Sequence, residues 1–317
     1  MGSVIDKWMV VVNVFAASKQ AGSVWKKAAS MLEESSVPYS VQYTGGADNA
    51  TMLSYKAAAS GYRKFIAVGG DGTIHDVLNG IAGFASQSES VNMSDFTLAV
   101  LPVGSGNDWI RSTGVPRDIQ KAVRLIADGK TTRQDIVRVT DMESGDEVYM
   151  ANIGGIGLDA RVAEIVNKKK EQGKRGKMLY VRALLYCIKH RVPVKAKVIC
   201  DGKVIFDGKY FSIAFGIGKY SGGGMRQTPL AVMDDGLLDV TVIPDISLWV
   251  IARKAPRLFT GTFHKVDVLT QARCKEVMVL PYGPGDAEPI EIDGEIIGRV
   301  PVKMTVLQEQ LNVITGC

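Results

Sequence analysis

"KFIAVGGDGTIHDVLNG", residues 64–80, is the stretch whose reading decides the fold. An apolar run ends on Gly69 and Gly70, Asp71 sits between glycines, and Ile74, Val77, Leu78 and Ile81 then recur at helical spacing. Strand, glycine turn and helix in direct succession form the repeating unit of parallel α/β sheets, which bind ligands at the carboxyl ends of their strands. Glycine permits the positive φ and the close backbone approach that a bound phosphate requires. Thr73 and Asp76 have the T-x-x-D spacing of a capping box, which predicts a helix N-terminus with its free amides turned toward the same place. A tight turn with no ligand explains a lone double glycine equally well, and it gives Asp76 a structural role. Asp71 tilts the reading, because an anion-binding loop avoids a carboxylate unless a cation such as Mg2+ joins it to the phosphate. His75, at the start of the helix, is expected to be solvated.

Outward from this stretch, the first 134 residues alternate. "WMVVVNVF" (8–15), "YSVQY" (39–43), "FIAV" (65–68) and "FTLAVLP" (96–102) read as buried strands, and helical patterns such as "AGSVWKKAASMLEESS" (21–36) lie between them. The expected first domain, 1–134, is therefore a doubly wound, mostly parallel sheet. A second glycine loop, "LPVGSGNDW" (101–109), ends the next strand and brings Asn107 and Asp108 to a neighbouring position. Two aspartates converging with glycine amides suggest a Mg-nucleotide. The sequence has no G-x-x-x-x-G-K-[ST] and no H-R-D or D-F-G, so it is neither a P-loop NTPase nor a protein kinase.

From Asp135 the period changes to short β-type runs punctuated by turns, among them "VKAKVIC" (194–200), "LLDVTVI" (237–243) and "VKMTVL" (302–307). The expected second domain, 135–305, is a larger antiparallel β-sandwich with a helical insert near 157–190, and a segment from about 306 to 317 is expected to pack back on the first domain. Two Asp-Gly steps, "IDGE" (292–295) and "MDDGL" (233–237), read first as turns.

A chain of 317 residues is long for one core, which favours two domains, and its 46% hydrophobic and 22% charged residues make it ordinary globular material. The net charge of +5 calls for an anionic partner: nucleic acid, nucleotide phosphate or an acidic lipid surface. Four cysteines without C-x-x-C spacing and three histidines without H-E-x-x-H suggest neither a disulfide framework nor zinc, and fit a reducing, cytoplasmic setting. No secretory signal region opens the sequence, and no apolar run approaches the roughly 20 residues of a spanning helix, so a membrane would be met from the side. The insert "NKKKEQGKRGK" (167–177) carries Lys168, Lys169, Lys170, Lys174, Arg175 and Lys177. It reads as a solvated loop or as a contact with an anionic bilayer, where each basic residue contributes about 1 kcal/mol. No aromatic residues interleave the charges, which argues against nucleic acid.

These motifs carry a resemblance. "GGDGT" (69–73) with "VLNGI" (77–81) and "LPVGSGND" (101–108) are followed in order by "QDIVRV" (134–139), "ANIGGIGLDARVA" (151–163), "YSGGGM" (220–225), "MDDGLLDV" (233–240) and "EIDGE" (291–295). Together they resemble the diacylglycerol kinase catalytic family, particularly the soluble bacterial lipid kinases and their sphingosine kinase relatives. NAD kinases and phosphofructokinases share a more distant GGDGT, and the downstream segments separate the lipid kinases from them.

The resemblance spans nearly the whole chain and implies a nucleotide-binding domain, a β-sandwich, and phosphoryl transfer from Mg-ATP to a lipid hydroxyl in the cleft between them. It implies that Gly69, Gly70, Gly72, Thr73, Gly104, Ser105 and Asn107 contact ATP phosphates, with Asn13 and Glu295 as further nucleotide contacts. Asp71, Asp108 and Asp135 would form the Mg2+ and water network, Asp71 counting also as catalytic. Asp293 would be the general base, assisted by Glu295 or replaced by it if the strand faces the other way. Asp235, with the carbonyls of Val232 and Leu237, would bind a second, structural cation. The family's proline and early glycine after the first strand are missing from "NVFAASKQAG" (13–22), which weakens the nucleotide contacts expected there, and His75-Asp76 stands where relatives more often have Asn-Glu. The expected partners are a lipid substrate at a membrane surface and the anionic membrane itself, with a homodimer admitted and nucleic acid excluded. The alternatives are a kinase of a soluble nucleotide and a non-catalytic nucleotide- or lipid-binding regulator.

Overall fold

The computed structural model describes residues 4–16, 21–45, 48–104, 106–172 and 177–316. The chain divides into two compact units: one runs to Ile136 and takes back the residues from Leu307, and the other covers Val137–Val306.

In the first unit β1 (Ile5–Val12), α1 (Ala21–Glu34), β2 (Tyr39–Tyr43), α2 (Ala50–Ala59), β3 (Tyr62–Gly69), α3 (Asp71–Ala85), β4 (Thr97–Pro102), α4 (Trp109–Thr113) and α5 (Ile119–Asp128) follow in turn. Strand β5 (Thr131–Asp141) leaves this unit, and β15 (Val302–Ile314) returns to it. The strands lie in the order β2, β1, β3, β4, β15, all parallel. Their apolar runs are the reason: Val10 to Val12, Phe65 to Val68 and Leu98 to Leu101 are almost wholly buried, as strands covered on both faces must be. Helix α2 packs on α3, and α1 packs on α5. Because β2 and β3 lie on opposite sides of β1, the order reverses there, and such reversals open a crevice at the carboxyl ends of the strands. Gly69 pairs with Pro102, so the two glycine loops leave adjacent strand ends.

Two local expectations are corrected. Helix α3 begins at Asp71 with Gly70 as its N-cap, in an extended conformation at φ −104°, so Thr73 already lies inside the helix and forms no capping box with Asp76. The Thr73 hydroxyl accepts from Asn13 Nδ2 at 3.0 Å, and Asp76 accepts from the Thr51 hydroxyl at 3.3 Å. His75, expected in solvent, is only 6% exposed, with Asn79 Nδ2 3.4 Å from its Nε2.

The second unit is antiparallel. It contains β6 (Glu147–Met150), β7 (Ile153–Gly157), α6 (Leu158–Glu171), α7 (Lys177–Lys189), β8 (Val194–Cys200), β9 (Lys203–Gly216), β10 (Leu238–Pro244), α8 (Leu248–Lys254), β11 (Thr270–Cys274), β12 (Glu276–Pro281), β13 (Pro289–Ile292) and β14 (Glu295–Arg299). Strand β9 changes partners along its length: Lys203–Tyr210 pairs with β8, and its later residues pair with β7 and β10. One sheet can thus wrap around a core that includes Val139, Met150, Ile213, Phe215, Val240, Val279, Ile292 and Met304. Helices α6 and α7 form the insert expected near 157–190. Lys174 and Arg175 of the basic run, like Ser105 and Cys317, lie outside the described residues. Among the described residues no helix is long and apolar enough to cross a membrane.

Candidate functional site

In the first unit the site is built from three strand ends. Asn13, after β1, reaches the first turn of α3 through its bond to Thr73. The Thr73 hydroxyl fills the space where a side chain on Gly69 would begin, 2.1 Å from an added Cβ, so position 69 must be glycine because of close approach. Neither Gly69 nor Gly70 has a positive φ, which corrects that part of the reading. The first turn of α3, beginning at Asp71 and Gly72, bears the positive end of the helix dipole.

Asp71 holds the second loop in place. Its Oδ1 accepts the backbone amides of Asp108 at 2.8 Å and Trp109 at 3.0 Å. Its Oδ2 faces Gly106, where an added Cβ would stand 3.2 Å from it and 3.7 Å from Asp108 Oδ2, so the two carboxylates converge on one glycine. Asp108 is also 3.4 Å from Arg111 Nε, and Arg117 anchors the loop through the Gly106 carbonyl at 2.7 Å. Asn107 has a left-handed backbone, φ +52°, and its Nδ2 donates to the Gly104 carbonyl at 3.1 Å. Its Oδ1 is buried without a hydrogen-bond partner among the described residues, 2.9 and 3.6 Å from where Cβ atoms on Gly104 and Gly70 would lie. A buried acceptor in this state is available to a hydrogen-bond donor.

Asp135 is placed differently from the other two. It is fully buried, and its Oδ1 accepts the Glu309 amide at 2.7 Å, tying β5 to the returning β15. Among the described residues no group of three or more acidic, histidine or cysteine side chains is arranged to hold a metal. Asp71 and Asp108 alone still fit Mg2+, which is usually held by one or two carboxylates together with substrate phosphates.

In the second unit Asp293 and Gly294, at φ +54° and +91°, make the two-residue turn between β13 and β14, so the hairpin reading of this step is correct. The Asp293 carboxylate is 7% exposed and accepts three successive amides: Ala151 at 2.8 Å, Asn152 at 3.0 Å and Ile153 at 3.2 Å. The Asn152 side chain donates to the Tyr220 carbonyl at 2.9 Å, which links this turn to "YSGGGM". Glu295 is exposed. Asp235 binds the Arg273 guanidinium and accepts the Leu237 amide at 3.1 Å, while Arg273 Nε also reaches Asp239 at 3.1 Å. A guanidinium on the one side-chain ligand makes Val232, Asp235 and Leu237 a poor fit for a divalent cation.

Sequence reasoning missed Arg273, which lies 38 residues from its partner. It also missed a pair of carboxyl groups beneath the Asp293 turn. Glu291 is buried, its Oε2 accepts the Gly294 amide at 2.8 Å, and its Oε1 approaches Asp159 across Gly155. Burial, and then the charge of Asp159, push Glu291 well above the usual carboxylate range. Burial raises Asp159 as well, opposed by hydrogen bonds from Ser212 and Gln227. Strand alternation was the available signal, since in "PIEID" residues 291 and 293 fall on the same side.

Comparison with known proteins identifies the family. A model of the diacylglycerol kinase catalytic domain matches residues 7–139, and one of the YegS C-terminal NAD kinase beta sandwich-like domain matches residues 152–315. A diacylglycerol kinase of Mycobacterium tuberculosis is 28% identical over 86% of this chain and 84% of its own length. One of Bacillus subtilis is 26% identical over 89% and 87%. A crystal structure titled as a diacylglycerol kinase from Bacillus anthracis str. Sterne superposes with a TM-score of 0.75 over 98% of this chain and 97% of that one, at 22% identity, a likeness of fold.

Proposed function

Because the chain belongs to the diacylglycerol kinase catalytic family and carries that family's C-terminal sandwich, we propose that it transfers the γ-phosphate of Mg-ATP to the hydroxyl of a diacylglycerol-like or sphingoid lipid. The observation that carries this reading is the convergence of Asp71 and Asp108 on Gly106, beside the buried Oδ1 of Asn107 and the N-terminus of α3. Phosphates would bind at the glycine loops with the α3 amides as donors, and Asn107 would contact them through its Nδ2, while its Oδ1, an acceptor, would take a donor such as a water held by Mg2+. Mg2+ held by Asp71 and Asp108 would neutralise phosphate charge, which is the main demand of phosphoryl transfer.

In the reaction the lipid oxygen bonds to the γ-phosphorus, the bond to the bridging oxygen breaks, ADP leaves, and the hydroxyl proton passes to Asp293. A carboxylate base suits this step when it lies within hydrogen-bond reach of the hydroxyl. The backbone amides of residues 151–153 fix the Asp293 carboxylate in one orientation. Glu295, exposed on the same hairpin, is the second candidate for the base or a nucleotide contact.

The membrane would be met through the second unit. Helix α7 exposes Met178, Val181, Leu185 and Tyr186 beside Arg182 and Lys189, and Lys168 is exposed on α6. An apolar stripe with basic flanks suits an anionic bilayer.

The test is transfer of labelled phosphate from ATP to diacylglycerol and sphingosine in mixed micelles, with NAD in solution as a competing acceptor. The expected result is a phosphorylated lipid, and turnover reduced at least about 100-fold by Asp71→Ala or Asp293→Ala with the fold intact. Transfer to NAD alone would replace this reading with a soluble-nucleotide kinase. ATP binding without transfer to any acceptor would point to a regulator.

A further inference from the structure

Three amides orient the Asp293 carboxylate, but they leave the Asp293–Gly294 turn itself to be held. Both residues of this turn have left-handed backbones, a conformation that strains a non-glycine residue and needs support from its surroundings. The Asp293 amide donates to the Ile153 carbonyl at 2.9 Å, and on the outer side Asn167 of α6 donates to the Gly294 carbonyl at 3.2 Å. The remaining group, the Gly294 amide, goes to Glu291 Oε2 at 2.8 Å.

Glu291 is in turn held from behind. On β13 it sits opposite Gly155 of β7, where a glycine leaves room for a second carboxyl group. A Cβ built on Gly155 would stand 3.3 Å from Glu291 Oε1, 3.0 Å from Asp159 Cβ and 3.5 Å from Asp159 Oδ2. Asp159 is committed on both oxygens, to the Ser212 hydroxyl at 2.5 Å and to Gln227 Nε2 at 2.9 Å. Two carboxylates in such a space do not both ionise readily. Asp159 has two donors that stabilise its charge, so the proton belongs on Glu291, whose Oε2 accepts from Gly294.

We propose that Glu291 is a positioning residue for Asp293: as a neutral acid packed beside Asp159 it holds the Gly294 amide, setting the turn that aims the Asp293 carboxylate. The proposal rests on the reading of Asp293 as the proton acceptor. It distinguishes Glu291 from a catalytic base, because a neutral brace can be replaced by an amide and a base cannot. Glutamine keeps an acceptor for Gly294 and, like the neutral acid, carries no charge beside Asp159.

The experiment compares Glu291→Gln, Glu291→Ala and Asp293→Ala in the full chain, measuring kcat, the KM for lipid and the hydrogen exchange of the Gly294 amide. Glu291→Leu replaces the alanine variant if that variant does not fold, since leucine fills the space without an acceptor. The expected result is that Glu291→Gln keeps kcat within about three-fold and native Gly294 protection. Glu291→Ala should speed Gly294 exchange at least about ten-fold and lower kcat by about 100-fold with KM little changed, as misplacement of a reacting group does. Unchanged Gly294 exchange in Glu291→Ala overturns the clamp. A loss in Glu291→Gln as deep as that in Asp293→Ala overturns the neutral role and makes Glu291 itself the base. Full turnover in Asp293→Ala removes the reading of Asp293 and the positioning proposal with it, and that outcome is distinct from either failure at Glu291.

Discussion

A proton stored on Glu291 has a consequence for stability that can be separated from turnover. The charges of Asp159, Asp293 and Glu295 add to burial in raising the acid, so the folded protein keeps a proton that the unfolded chain releases above pH about 4.3. A group with a raised folded pKa contributes stability that is complete below the unfolded value and is lost as pH rises through the folded one. Glu291→Gln has no proton to lose. Its melting temperature relative to wild type should therefore climb by roughly 2–5 °C between about pH 5 and about pH 8, and a difference that stays flat across that range would place no proton on Glu291. At this scale the sequence was legible where one residue type carries one meaning. The Asp-Gly hairpin at 293–294 is an instance. It was not legible where a role depends on a distant partner: Arg273 comes to Asp235 from another strand, Thr73 matches a capping box in spacing but receives Asn13 instead, and His75 is buried because of the face its helix presents.

Among the elements, the junction of β3 and α3 tests close approach as the reason for a glycine. An alanine methyl at position 69 would stand 2.1 Å from the Thr73 hydroxyl, which cannot move without breaking its bond to Asn13. Gly69→Ala should lower stability by about 1–3 kcal/mol in a urea titration and weaken ATP binding by calorimetry, while Gly22→Ala, in a helix with nothing within 4 Å, should be neutral or stabilising. Equal effects at the two positions would deny the close approach its importance. The elements themselves were readable because the apolar runs are continuous in the parallel unit and short in the antiparallel one, the difference expected between strands covered on both faces and strands arranged as a sandwich. The start of α3 was misplaced by three residues because a T-x-x-D match outweighed the glycine that ends the strand.

At the scale of the whole molecule, the first unit is completed by residues distant in sequence. Asn312 and Val313 add a strand beside β4, Leu311, Val313 and Ile314 are buried, and the Glu309 amide satisfies the fully buried Asp135. Each buried apolar side chain of this kind is worth about 1.5–3 kcal/mol, and a buried acceptor that loses its donor costs about 1–3 kcal/mol. Together these approach the roughly 5–15 kcal/mol that holds a domain folded. Deleting residues 307–317 should therefore abolish the thermal transition of the first unit and ATP binding with it, and a truncated protein that melts and binds ATP normally would refute this account. The return of the chain could be anticipated from a β-type run after the sandwich, but its partner strand could not, since a parallel pairing leaves no turn beside it.

This pairing has a consequence for synthesis in the cell. A ribosome makes β4 and Asp135 early and makes Glu309, Asn312 and Val313 only after the entire sandwich unit has been translated. Contacts across so long an interval form slowly, and until they form the sheet keeps an open edge beside β4. The nascent chain therefore passes through a stage in which the sandwich can fold before the first unit is complete. Chaperone dependence, if the protein shows any, would fall on this waiting edge.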